Sequence, residues 1–157
     1  MDYEENFDDP SNHMFQRLDG SNNYDAKLME SAYDRRGILK IYRKWSGELA
    51  VAESNLITMR DNPFTHCRVL FYVYTESNST VVNMKDNVCL GYTINDGNAT
   101  SGCWDTSHFA GPRWFRARFE FELPIETKNM RLMFQVQGNN NVNDTGVYID
   151  QVIIQGR

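Results

Sequence analysis

Over much of the chain, apolar and polar residues alternate with a period of two. Phe115, Ala117, Phe119, Phe121 and Leu123 interleave with Arg116, Arg118, Glu120 and Glu122, a pattern that predicts a strand with one dry and one wet face. Pro124 ends it, and Met130, Leu132, Phe134 and Val136 then alternate with Arg131, Met133, Gln135 and Gln137 in a second strand. Cys67, Val69, Phe71 and Val73 share one face of a third, with Arg68, Leu70, Tyr72 and Tyr74 on its amphipathic reverse.

The last strand breaks this rhythm. In Val147-Tyr148-Ile149-Asp150-Gln151-Val152-Ile153-Ile154, Val147 and Ile149 lie on one face, whereas a regular pleat would put Val152 and Ile154 on the other. A bulge at Asp150-Gln151 returns all four to one core and re-aims the Asp150 carboxylate, expected at a sheet edge. The preceding run Gly138 to Gly146 is crowded with Asn and Gly and predicts a chain reversal.

The first half is less regular. Gly37 to Arg43 reads as a strand after Leu39, and Leu49 to Ile57 and Asn87 to Ile94 as others. Asn6-Phe7-Asp8-Asp9, stopped by Pro10, reads as a short edge strand with an acidic exit. Asp25 to Ala32 fits either a helical turn or a strand and is taken as a strand. No helical period persists, nothing repeats, and no linker divides the chain. The expected fold is all-β, one domain spanning 1–157, an antiparallel two-sheet β-sandwich with jelly-roll topology.

Net charge is −5 and the basic residues are scattered, so no nucleic-acid or anionic-lipid footprint is expected. No apolar run is long enough to span a membrane, and Met1-Asp2-Tyr3-Glu4-Glu5 lacks the pattern of a signal peptide; the acidic start equally suits a domain taken from a longer chain. Of three cysteines, Cys89 and Cys103 flank the turn signal Asn95-Asp96-Gly97-Asn98 and are expected to form a disulfide between adjacent strands, leaving Cys67 as a buried thiol. Sequons at Asn78, Asn98 and Asn143 fall in expected loops. A bridge and loop sequons together favour a secreted or cell-surface setting.

His13, His66 and His108 have no metal-ligand spacing, and no nucleophile elbow or phosphate loop occurs. Glu120 and Glu122 share a strand face and formally match a glycosidase acid pair, but cross-strand pairing among Arg116 and Arg118 explains them more simply, so no enzyme activity is expected. If the first and last strands are neighbours, Asp8 and Asp9 can approach Asp150 and form an oxygen cage for Ca²⁺; the simpler reading is that each caps its own turn. Among the aromatic residues, Trp104, Tyr72 and Tyr74 are the candidates for stacking on sugar rings, although tyrosines would line a loop-covered sheet face equally well.

Asn6-Phe7-Asp8-Asp9, the pair Ala52 to Leu56 and Cys67 to Tyr74, Trp114 to Phe119, and the ending Arg131 to Phe134 with Tyr148 to Val152 resemble, in that order, MAM-like adhesion domains and carbohydrate-binding-module-like sandwiches. The early cysteines of MAM domains are missing, and Gln151 stands where a second Asp is common. The resemblance implies a jelly roll, often a structural cation between the first and last strands, and non-catalytic recognition or adhesion, with a glycan or an extracellular protein as partner. A self-assembling surface tile is the alternative, and a glycoside hydrolase a further one.

Overall fold

The computed structural model describes residues 2–9, 11–15, 17–20, 24–43, 49–59, 64–75, 87–105, 113–137 and 146–157. The turn at 138–145, Trp45, His108 and the sequons at Asn78 and Asn143 lie outside them. Every regular element among the described residues is a strand, and the pairing is antiparallel throughout.

Twelve strands run in chain order: β1 (Asp2–Glu5), β2 (Arg17–Gly20), β3 (Tyr24–Ala32), β4 (Arg35–Arg43), β5 (Leu49–Glu53), β6 (Ile57–Thr58), β7 (His66–Thr75), β8 (Asn87–Ile94), β9 (Thr100–Asp105), β10 (Phe115–Glu122), β11 (Asn129–Gln137) and β12 (Gly146–Gly156). One sheet has the order β10-β7-β12-β4-β3, with β1 also on β12; the other has the order β2-β5-β11-β8-β9, with β6 also on β11. These are the two leaves of the expected sandwich.

The alternating faces close on each other between the leaves. Phe71 on β7 meets Phe134 on β11 edge-to-face at 5.0 Å, and Phe15, brought in by the segment before β2, packs on Phe134 at 5.4 Å and on Phe7 at 5.9 Å. Fully burying such a side chain contributes roughly 1.5–3 kcal/mol. The turn expected at Asn95-Asp96-Gly97 joins β8 to β9, both Asn95 and Asp96 having positive φ, and the Asn95 carboxamide oxygen accepts the Lys128 N–H at 2.7 Å.

The break in β12 is a bulge. Pairing with β7 shifts between Asp150 and Ile153, Gln151 takes φ 49°, and Val147, Ile149, Val152 and Ile154 all end in the core. The bulge lies where one edge of β12 passes from β4, paired with 146–149, to β1, paired with 152–155. Asp150 is therefore not at a sheet edge: β12 is an inner strand, and the carboxylate sits at the seam between two neighbours.

The opening strand differs from expectation too. It ends at Glu5, and Asn6 to Asp9 form a connecting segment in which Phe7 has φ 57°. The buried Glu5 carboxylate causes this reversal, accepting the Phe7 N–H at 2.7 Å and the Met14 N–H. The segment passes close over β4 at Gly37, where φ is +68° and an added Cβ would lie 2.6 Å from both the Asn6 carbonyl and Asp8 Oδ1. Only glycine suits that conformation and clearance.

Candidate functional site

β3 and β4 are joined by a loop of two residues, Tyr33 and Asp34, between the paired Ala32 and Arg35. Both central residues have positive φ, 49° and 67°. Such tight reversals suit the twist of a hairpin and ordinarily take Asn or Gly. Holding a tyrosine there costs on the order of 1 kcal/mol, and three contacts hold it. Its ring stacks on Tyr74 with centroids 3.8 Å apart and planes 12° apart, it meets Tyr148 edge-on at 5.0 Å, and its carbonyl accepts the Trp114 indole N–H at 2.9 Å. Tyr33 still keeps 39% of its surface exposed.

Beneath it lies a small second core on the outer face of this sheet: Ile38, Tyr74 and Tyr148, with Met29, Ala32 and Trp114 packed against them. Arg35 extends the layer. Its guanidinium lies 4.0 Å from the Tyr72 ring centroid and 5.2 Å from that of Trp114, and it donates to Asp150 Oδ2 at 2.9 Å. The Arg116 guanidinium is 5.9 Å from Tyr72 on the next strand. An open cavity of about 290 Å³ follows the hairpin from Ser31 to Arg36.

Asp150 is buried, and burial pushes its carboxyl above the ordinary carboxylate range; the hydrogen bonds from Arg35 and from its neighbour's N–H act against the rise, and the nearby Asp8 charge adds to it. Of the expected Ca²⁺ ligands, Asp8 lies against Gly37 and its charge acts on Asp150, while Asp9 lies apart. Fully exposed, Asp9 caps its own turn by accepting the Ser11 hydroxyl at 2.7 Å and the Ser11 N–H at 2.9 Å, which hold it below its usual range. Among the described residues no three His, Cys, Asp or Glu side chains gather as a metal set.

The three expected stacking residues fare differently. Tyr72 is half-buried beneath the Arg35 guanidinium, and Tyr74 is 9% exposed, covered by Tyr33 and Trp114. Trp104 lies on β9 opposite Val88, and its side chain is outside the described residues. Glu120 pairs with Arg118 at 2.5 Å and is held below the usual carboxylate range, the reverse of what a general acid needs; Glu122 is exposed, opposite His66. Cys89 stands directly opposite Cys103 and is not a free thiol, whereas Cys67 is free and buried. Asn98 is exposed in the β8–β9 turn.

Tyr33 and Arg35 carry the site and were not among the candidates from sequence. Their signal is a two-residue interruption between stretches of strand length, without the Asn-Gly or Asp-Gly that usually marks one. On the other sheet, the half-buried side chains of β11 are polar or flexible: Arg131, 3.7 Å from Glu53, with Met133 and Gln135.

No family model and no curated protein sequence matches the chain. Its fold does match solved structures. TmCBM61, solved in complex with β-1,4-galactotriose, superposes with a TM-score of 0.58 at 17% identity, covering 92% of this chain and 91% of that one. The CBM22-1 xylan-binding domain of Paenibacillus barcinonensis Xyn10C gives 0.58 at 10% identity, covering 98% and 92%. A structure from work on carbohydrate-binding modules of the β-sandwich superfamily gives 0.64 at 12%, covering 96% of this chain and 60% of that one. At these identities the likeness establishes the jelly-roll sandwich.

Proposed function

We propose that this protein is a non-catalytic glycan-recognition module whose stacking surface is the aromatic layer at the β3–β4 hairpin. The observation that carries this reading is Tyr33, held in a strained backbone conformation with one ring face stacked on Tyr74 and the ring still exposed. Pyranose rings present C–H faces that pack on aromatic planes, and a ring already fixed by its neighbours loses little freedom on binding. Trp114 and Tyr72 extend the apolar surface, and Arg35 and Arg116 supply donors for hydroxyl or anionic oxygens. The galactan and xylan ligands named for the structural neighbours favour the same ligand class.

The wider setting belongs to the proposal: a secreted or surface protein, with Cys89 bridged to Cys103 and Asn98 open to glycosylation, of which this domain can be one part. A glycan array probed with the wild type and Tyr33→Ala tests the reading. Binding without reducing-sugar release, weakened at least about tenfold in the variant, is expected. A blank array overturns it, and reducing-sugar release that disappears in Glu120→Gln replaces it with the hydrolase.

A further inference from the structure

Resting on that glycan reading, we propose that the surface selects acidic glycans, those carrying carboxylate or sulfate groups. The chain as a whole is acidic, at −5, yet cations border the aromatic layer: the Arg35 and Arg116 guanidiniums at Tyr72 and the Lys40 ammonium at Tyr148.

Their partners sort them into two classes. Arg35 is satisfied within the protein by Asp150, and Arg118, farther along β10, by Glu120. Arg116 and Arg113, which flank Trp114 in sequence, are exposed, and no carboxylate among the described residues pairs with either. Both guanidiniums instead lie over rings, Arg116 at 5.9 Å from Tyr72 and Arg113 at 4.4 Å from Phe115. A guanidinium held against a ring keeps its N–H edge free, and that planar fork matches the oxygens of a carboxylate or sulfate.

Distance places the Arg116 fork at the end of the stacking layer, whereas Arg113 lies over Phe115, which packs against the main core. From Tyr33 the path runs 3.8 Å to Tyr74, 5.6 Å to Trp114, 5.2 Å to the Arg35 guanidinium, 4.0 Å to Tyr72 and 5.9 Å to Arg116. A sugar stacked on this row brings an acidic substituent within reach of Arg116 without disturbing the Arg35–Asp150 pair. Asp34, in the turn itself, is exposed. A neutral glycan would leave Arg116 without the partner its geometry suits.

Calorimetric titration of the wild type with polygalacturonate fragments, a sulfated galactan oligosaccharide, and neutral galacto- and xylo-oligosaccharides tests this. Tighter binding of at least one acidic ligand is expected, falling as NaCl is raised, with Arg116→Ala weakening it about tenfold and removing most of its dependence on NaCl. Whether the carboxylated or the sulfated ligand responds identifies the acidic group. Arg116 is exposed, so the variant keeps its fold, which a matching melting temperature would verify. Neutral ligands bound as tightly as acidic ones, or an Arg116→Ala variant equal to wild type on the acidic ligand, overturn the selectivity while leaving glycan recognition standing. Binding to no ligand of either kind overturns both.

Discussion

Of the six non-glycine residues in the left-handed backbone region among the described residues, Phe7, Tyr33 and Gln151 re-aim side chains where the sandwich departs from regular strands. Each places a side chain that a continuous pleat would misdirect: Phe7 into the core, Tyr33 over the outer face, and Gln151 out of phase so that Val152 and Ile154 return inward. The first depends on Glu5, whose two carboxylate oxygens accept the N–H groups of Phe7 and Met14. Glu5→Ala leaves both donors unsatisfied in a largely buried setting. It is expected to lower unfolding free energy by about 2–3 kcal/mol, measured by urea denaturation. A loss below about 0.5 kcal/mol would show that water replaces the carboxylate at no cost.

Strand patterning explains which elements were legible in advance. β10, β11 and β7 alternate strictly because one face of each is dry, and the phase break after Ile149 located the bulge in β12. β1 was misplaced because Phe7 is apolar and buried but reaches the core from a reversal, which periodicity does not distinguish from a strand position. The β8–β9 hairpin was legible through its Asn-Asp-Gly turn, and its register puts Cys89 opposite Cys103. Under denaturing, non-reducing conditions one reactive thiol per chain is expected, that of Cys67. In the native protein it is expected to react slowly, since burial pushes that thiol up to about 12. Three thiols after denaturation would contradict the bridge.

At the scale of the whole molecule, the first strand closes on the last: β1 lies on the last half of β12, and Asp8 sits over Gly37 with its charge acting on Asp150. A Ca²⁺ held by Asp8 and Asp150 would tie the two ends together here, with Asp9 left to its turn. A ligand that binds only the folded state raises its stability, so a chelator is expected to lower the melting temperature of Ca²⁺-loaded protein. An unchanged temperature would mean that Arg35 alone balances Asp150.

The stacking surface was half legible. Tyr72 and Tyr74 were placed on the correct face by alternation, but that a strained tyrosine from the next hairpin covers Tyr74 and takes over the exposed position depends on tertiary packing that no local pattern encodes. The most direct measurement is an amide chemical-shift titration with the strongest ligand from the array. Perturbations centred on residues 32–36, 72 and 114–116 are predicted, and perturbations centred instead on Glu53, Arg131, Met133 and Gln135 of the opposite sheet would contradict the account.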